Sequence, residues 1–223
     1  MIGEILPACV ASAEAFGDPP EAELFPSEQE AVRNAVDKRR REYTTVRHCA
    51  RKALAELGLP PAPILPGRNR EPLWPAGVVG SMTHCDGYRA AALAREGDLA
   101  ALGIDAEPHA ALPEGVLASV TRPEELPRLS RLGEKHPEVH WDRLLFSAKE
   151  SVYKVWFPLA GCWLGFDDAA IDFDPDGGLF TAVLHQSGLQ LDGKPISQLT
   201  GRWLVREGLV ITAISLDGEG CAG

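Results

Sequence analysis

The sequence predicts an α+β fold made of two similar halves, each a helix packed on an antiparallel sheet. Helical and strand patterns alternate as helix then strands, twice, and turns rather than crossover helices separate the strands. The chain has 223 residues, of which 45% are hydrophobic, which suits one large domain or two small ones. We place the boundary near residue 106, giving an N-terminal half of residues 1–106 and a C-terminal half of residues 107–223.

The N-terminal half is predicted to begin with helix. Ser27 can cap the helix N-terminus, and Glu30, three residues later, can complete a capping box. Apolar residues then recur at helical spacing over residues 32–57, which fits one long helix or two abutting ones, and Gly58 ends the pattern. Strands are predicted at residues 77–82, 88–94 and 99–105. The alanine-rich stretch 91–94 also fits a helix.

The C-terminal half is predicted to repeat this order. Prolines break residues 108–137 into short helices, and a longer helix follows at 141–156, with Pro158 and Gly161 ending it. Short strands separated by Gly and Asp turns are predicted at residues 169–173, 179–184, 202–205 and 209–216.

Composition excludes several classes of function. With 22 Lys+Arg against 32 Asp+Glu, the net charge of −10 argues against nucleic acid or an anionic membrane as partner. Apolar runs are too short to span a bilayer, and no basic residue precedes Arg33, unlike in a secretory signal. Cysteines at 9, 49, 85, 162 and 221 form no C-x-x-C pair, which is typical of free thiols in a reducing compartment. We therefore expect a cytoplasmic protein.

Two carboxylates stand at the end of a predicted strand. In the sequence Gly-Ile-Asp-Ala-Glu at 103–107, Asp105 and Glu107 are two residues apart, so they share one face of an extended chain. Hard oxygen ligands in this arrangement suit Mg²⁺, which takes one or two carboxylates together with substrate phosphates. A solvated acidic turn before Pro108 is the alternative.

A third carboxylate lies in the predicted helix at 141–156. Glu150 and Lys154 share a helix face at a spacing of four residues, and Lys149 is their neighbour in sequence. Such a group could hold a metal, take a proton and neutralise phosphate charge. The alternative is structural, because Ser147 with Glu150 has the form of a capping box and Glu150 with Lys154 that of a helix salt bridge.

Two further segments carry groups that bind phosphate. Residues 38–41 are all basic, which in an acidic protein suggests a polyphosphate docking surface, although pairing with Glu42 on a solvated face explains them too. The glycine-bounded segment 80–88 contains Thr83 and His84, whose side chains can donate to phosphate oxygens; a satisfied turn histidine is the alternative.

Taken together and in this order, these segments resemble the 4′-phosphopantetheinyl transferases of the long, pseudo-dimeric type that activates siderophore, polyketide and nonribosomal-peptide synthases. The signature G-I-D-x-E followed by F-S-x-K-E-x-x-x-K is present at residues 103–107 and 146–154, and segments 45–51, 83–85 and 163–166 resemble the actinobacterial branch. The resemblance implies a monomer with its site in the cleft between the halves. It implies transfer of phosphopantetheine from coenzyme A to a serine of acyl or peptidyl carrier proteins of fatty-acid, polyketide or nonribosomal-peptide synthases, releasing 3′,5′-ADP.

The resemblance also implies roles for individual residues. The implied ligands of Mg²⁺, with Mn²⁺ as an alternative, are Asp105, Glu107 and Glu150. The implied catalytic residues are Glu150 as general base, Lys149 and His84. The implied coenzyme A contacts are Arg39 and Arg47 at the 3′-phosphate, Thr83 and His84 at phosphate oxygens, and Lys149 and Lys154 near the diphosphate. Many family members have G-K-P in a loop where this chain has Arg70-Glu71-Pro72, so that lysine contact is absent. Either Arg68 or Arg70 replaces it, or the phosphate relies on the helix arginines.

Two other functions fit the same residues. A Mg²⁺-dependent phosphohydrolase would use the three carboxylates with water as nucleophile and release phosphopantetheine from coenzyme A. A non-catalytic module would bind coenzyme A or a carrier protein without turnover. The aromatic-rich stretch 156–166 could contact the carrier, but core packing is the favoured interpretation.

Overall fold

The computed structural model describes residues 1–218, in which two antiparallel sheets each carry one 20-residue helix. The helices are α1 (Pro26–Gln29), α2 (Asp37–Glu56), α3 (Val116–Val120), α4 (Leu126–Lys135) and α5 (Trp141–Ala160). This arrangement confirms the predicted α+β class. No helix within residues 1–218 is long and apolar enough to cross a membrane, and Cys221 lies outside the described residues.

The first sheet has three strands in the order β1-β5-β4. They are β1 (Ala11–Phe16), β4 (Val78–Cys85) and β5 (Tyr88–Arg95). Helix α2 packs on this sheet through small side chains, so Ala50 and Ala53 are fully buried. The stretch 91–94 is strand, not helix: β5 is the central strand and is buried on both faces, which suits a continuous apolar run.

The first helical region is divided into two helices. Helix α1 and a following 3₁₀ turn (Glu30–Val32) precede α2, so the two-helix alternative is confirmed. The predicted capping box of Ser27 and Glu30 is wrong. The N-cap residue is Phe25, whose backbone N–H donates to Glu28 Oε2 at 2.8 Å, because the Glu28 carboxylate is turned into the protein and is fully buried.

The second sheet has five strands in the order β6-β12-β11-β8-β7, with α5 packed on it. Its strands are β6 (Leu99–Pro108), β7 (Ala169–Asp174), β8 (Leu179–Leu184), β11 (Gln198–Arg206) and β12 (Leu209–Asp217). Two short hairpins join β2 (Leu65–Pro66) to β3 (Pro72–Leu73) and β9 (Gln190–Leu191) to β10 (Lys194–Pro195). Helix α5 runs past Pro158, which the last turn accommodates, and ends at Gly161, whose φ of +65° favours glycine.

Strand β6 lies where the two sheets meet. One edge pairs with β12, with Asp105 opposite Thr212. The other edge faces β4, where hydroxyl groups replace a backbone ladder: Ser81 Oγ accepts from Ile104 N and Thr83 Oγ1 accepts from Ala106 N, both at 3.0 Å. Strand β6 therefore joins the two halves, and the boundary at residue 106 stays a prediction.

Strand β6 also approaches α5 very closely. A Cβ atom at Gly103 would overlap the carbonyl oxygen of Ser151, so this crossing needs a residue without a side chain. Buried hydroxyl groups fix the helix to the neighbouring strand: Thr212 Oγ1 bonds the side chains of Ser147 at 2.9 Å and Ser151 at 2.7 Å. These contacts set the position of Glu150, the neighbour of Ser151, relative to β6.

Candidate functional site

Asp105 is the most enclosed of the three predicted carboxylates. It lies on β6 and is almost fully buried. Its Oδ1 accepts hydrogen bonds from Thr83 Oγ1 at 3.2 Å and from Lys154 Nζ at 2.8 Å. Its Oδ2 is buried and finds no hydrogen-bond partner among residues 1–218. An orphaned carboxylate oxygen is costly to bury, so this atom indicates a place for a positive ligand.

Glu107 and Glu150 lie close enough to Asp105 for their charges to interact. Burial raises the pKa of Glu107, and the charge of Asp105 raises it further, against the opposing ion pair with Arg143. Burial also raises the pKa of Glu150, which Lys154 lowers and the charges of Asp105 and Glu107 raise. The three predicted carboxylates, two on β6 and one on α5, thus lie within range of one another's charge.

Cationic side chains hold two of these carboxylates. Lys154 binds Asp105, and Arg143 Nη1 donates to Glu107 Oε2 at 2.8 Å. Among residues 1–218, no three acidic, histidine or cysteine side chains are grouped closely enough to form a ready-made metal site. The donor set nevertheless fits a hard divalent cation, because it offers carboxylate oxygens and the unpartnered Oδ2 of Asp105.

His84 and Arg39 form a pair beside the carboxylates. Arg39 Nη1 lies 2.6 Å from His84 Nε2, and Glu42 Oε2 lies 3.5 Å from the same nitrogen. Burial lowers the pKa of His84 to about 4, and the nearby charges of Arg39 and Lys154 contribute. At neutral pH the imidazole is therefore uncharged, and its Nε2 accepts the hydrogen bond from Arg39.

Thr83 does not face a phosphate site in this structure. Its hydroxyl is buried, donates to Asp105 Oδ1 and accepts from Ala106 N. Both bonding functions of the hydroxyl are thus used within the protein. The expected phosphate contact of the Thr83 side chain is replaced by a contact that orients Asp105.

Arg47 is likewise directed inward rather than to an exposed phosphate site. Its guanidinium lies 3.2 Å above the Tyr43 ring, and its Nε donates to the carbonyl of Ile64 at 2.8 Å. The Arg47 Nε also lies 3.8 Å from the carboxylate of Glu28, and burial lowers the pKa of Arg47 to about 10. Glu28 binds Arg51 as well, so a buried acid, which the sequence analysis missed, holds these two arginines.

Lys149 is not brought to the carboxylates. Its Nζ donates to the carbonyls of Val120 at 2.7 Å and Phe166 at 2.9 Å, and to Glu125 Oε2 at 2.8 Å. All three ammonium protons of Lys149 are therefore used within the protein. Residue 149 lies one position before Glu150, so its side chain points about 100° around the helix from that of Glu150. The expectation that Lys149 lies with Glu150 and Lys154 is wrong; burial lowers the pKa of Lys149 within its own ion pair.

A cavity of about 340 Å³ opens next to Glu150. Its lining includes the rings of Tyr153, Phe157 and Trp163 together with Arg68 and Arg70. Burial raises the pKa of Tyr153, and the charges of Glu150 and Glu71 add to the rise, so the Tyr153 side of the cavity lies within range of the Glu150 charge. Of the aromatic-rich stretch, Trp156 and Leu164 are core, as favoured above, whereas Trp163 is 71% exposed.

Arg143 is a further residue of this site that the sequence analysis missed. It precedes Glu150 by seven residues, which places both on one face of α5. That spacing is the signal that could have identified it.

Comparisons with known proteins identify the family. The family model of the 4′-phosphopantetheinyl transferase N-terminal domain matches residues 27–94, and that of the 4′-phosphopantetheinyl transferase superfamily matches residues 101–211. The chain is 54% identical to 4′-phosphopantetheinyl transferase Svp of Streptomyces mobaraensis, over 97% of this chain and 89% of that protein. It is 48% identical to 4′-phosphopantetheinyl transferase PptT of Mycobacterium tuberculosis, over 97% and 98%. It is 32% identical to enterobactin synthase component D of Salmonella typhi, over 66% and 61%.

The chain belongs to the 4′-phosphopantetheinyl transferase superfamily. It is an enzyme that transfers the phosphopantetheine group of coenzyme A to carrier proteins, and the predicted family and activity are confirmed.

Proposed function

We propose that the protein attaches 4′-phosphopantetheine to a serine hydroxyl of acyl and peptidyl carrier proteins in a Mg²⁺-dependent reaction that releases 3′,5′-ADP. The observation that carries this proposal is the convergence of Asp105, Glu107 and Glu150 beside the His84–Arg39 pair. Carboxylates for a cation and donors for phosphate oxygens are the two requirements of transfer from a diphosphate.

Asp105, Glu107 and Glu150 are the proposed ligands of Mg²⁺, with Mn²⁺ as an alternative. When bound, the cation neutralises phosphate charge, which would otherwise repel an incoming oxygen nucleophile. Two features of the residues support this role. The charge of Asp105 raises the pKa of both Glu107 and Glu150, and Asp105 Oδ2 is buried without a partner among the described residues.

Glu150 is the proposed general base. The serine oxygen attacks the phosphorus that carries the pantetheine arm, the bond from that phosphorus to the oxygen of 3′,5′-ADP breaks, and the serine proton passes to Glu150. Burial raises the pKa of Glu150, which favours acceptance of a proton, whereas a cation bound to the same carboxylate would lower it. The serine proton can reach Glu150 directly or through a water molecule, and the bonds formed and broken are the same in both cases.

Coenzyme A is proposed to bind along β4 and α5. Arg39 is half exposed, and neutral His84 keeps a proton on Nδ1, so both can donate to phosphate oxygens. Lys154 lies at the Asp105 end of the same surface, near the diphosphate. The aromatic cavity at Tyr153 and Trp163 suits the pantetheine arm, and Arg68 or Arg70 at its rim is proposed to replace the family's loop lysine.

We further propose that the carriers belong to fatty-acid, polyketide or nonribosomal-peptide synthases, and that the enzyme is a cytoplasmic monomer. The similarity to enterobactin synthase component D supports a role in siderophore synthesis. Burial raises the pKa of Cys49 to about 11 and that of Cys85 to about 12, so both thiols stay protonated at neutral pH, which supports a structural role for these cysteines.

Incubation of the protein with coenzyme A, Mg²⁺ and a panel of apo carrier proteins tests this proposal. We expect one phosphopantetheine group on the carrier serine by mass spectrometry, stoichiometric 3′,5′-ADP, and loss of both products when Mg²⁺ is chelated. Free phosphopantetheine formed without a carrier would instead show a phosphohydrolase. Binding of coenzyme A without any product would show a non-catalytic module. The Glu150→Gln variant is the matched negative control.

A further inference from the structure

Arg143 lies in the first turn of α5, the helix that also carries Glu150, and its side chain contacts the end of β6 and the segment that follows it. Its Nη1 donates to Glu107 Oε2 at 2.8 Å, its Nε to the carbonyl of Ala110 at 3.0 Å, and its Nη2 to the carbonyl of Ala111 at 2.9 Å. Its side chain is 14% exposed. The three nitrogen atoms of one planar guanidinium group thus bind the Glu107 carboxylate and two backbone carbonyls of the segment that follows β6.

This geometry needs a guanidinium group. Its N–H donors are fixed in one plane and diverge, so a single side chain can bind Glu107 and two successive carbonyls together. A lysine ammonium would carry the same charge but has no rigid fork. The contact therefore fixes both the carboxylate and the segment through which β6 leaves the site.

We propose that Arg143 is a positioning residue for Glu107 in the cation site. It holds Oε2 of that carboxylate and leaves Oε1 to the cation, while its place on α5 fixes the carboxylate relative to Glu150. This inference rests on the proposed function, because it assigns a supporting contact to one proposed ligand. Partners that orient ligands in this way change metal affinity by about 10- to 100-fold.

The direction in which removal of Arg143 changes cation affinity distinguishes a positioning role from a purely electrostatic one. A positive group near a cation repels it, so an Arg143 that acted by its charge alone would weaken cation binding. Its removal would then tighten binding. An Arg143 that positions Glu107 has the opposite effect, because its removal frees the carboxylate to turn away and so weakens binding.

Mn²⁺ binding to the full chain tests the inference without relying on turnover. The free Mn²⁺ signal in electron paramagnetic resonance is followed during titration of wild-type protein and of Arg143→Gln and Arg143→Lys. We expect about tenfold weaker Mn²⁺ binding in both variants, since neither side chain can make all three contacts. Thermal unfolding without metal establishes that each variant is folded, and the lysine variant keeps the test valid if the glutamine variant is not.

The matched control is Asp142→Ala. Asp142 Oδ2 accepts from the backbone N–H of Leu112 at 2.7 Å, so this change releases the same segment from the same helical turn without touching Glu107. We expect its Mn²⁺ affinity to stay close to that of wild type.

Three results would overturn the inference. The first two are unchanged or tighter Mn²⁺ binding in folded Arg143 variants, and an equal loss in Asp142→Ala. The third is a wild-type protein that binds no Mn²⁺, which would remove the proposed cation site as well. The first two results leave the proposed function intact, so the two failures are distinguishable.

Discussion

Lys149→Met is expected to destabilise the protein strongly, with little direct effect on the rate of transfer by the folded enzyme. Lys149 and Glu125 form a 2.8 Å ion pair with both side chains almost fully buried. Loss of the lysine leaves the Glu125 carboxylate with the backbone donors Arg122 N and Ile171 N, both at 2.7 Å, but without its ion-pair partner. Breaking a buried pair from one side costs about 3–5 kcal/mol. For a chain of this size, with about 2–4 °C per kcal/mol, the melting temperature should fall by about 6–20 °C.

The assay is thermal and urea unfolding of Lys149→Met, Glu125→Gln and the double variant. In the double variant no unpaired charge remains buried, so we expect it to recover a large part of the stability that Lys149→Met loses. The transfer rate is measured well below the melting temperature of each variant. A Lys149→Met protein with wild-type unfolding but greatly reduced transfer would refute the structural role and return Lys149 to the diphosphate.

Three further predictions concern the site. Glu150→Gln should abolish transfer while coenzyme A still binds by calorimetry; near-normal turnover would remove Glu150 from the role of base. Arg39→Ala should raise the KM for coenzyme A more than it lowers kcat, with little change in melting temperature, whereas Arg47→Ala should also lower the melting temperature, because Glu28 loses a partner; a change in KM alone would place Arg47 at a phosphate. Since the pKa of folded His84 is about 4, below its ordinary 6.5, the unfolded chain binds the extra proton between these values. Its contribution to stability should therefore be present above pH 6.5 and be lost as pH falls toward 4, and unfolding of His84→Gln should depend less steeply on pH in that interval; identical profiles would contradict the assignment.

Elements with a strong repeating pattern could be predicted from the sequence, and those without one could not. The helical period of residues 141–156 and the apolar runs of β8 and β12 gave their positions to within a few residues. Strand β1 was missed because Ala-Ser-Ala-Glu-Ala-Phe offers alanines where strands usually show β-branched residues.

The residues of the candidate site also differ in how far the sequence could predict them. Asp105 and Glu107 could be grouped because residues two apart on a strand share a face, whereas Glu150 was added to them only through the family signature. The partners of Lys149 and Arg47 could not be found, because Glu125 and Glu28 are 24 and 19 residues away in sequence and no local pattern couples them. Lys149 and Glu150 show the limit most clearly, since adjacent helical residues point in different directions and the sequence does not say which one faces the cleft.

The glycine of the signature has a consequence for how the acids are spaced. At Gly103 the main chains of β6 and α5 meet without an intervening side chain. Even one methyl group there would wedge the helix outward and take Glu150 away from Asp105, although no acidic group would have been altered. The absence of a side chain at this position therefore sets the distance between the acidic residues of the proposed cation site.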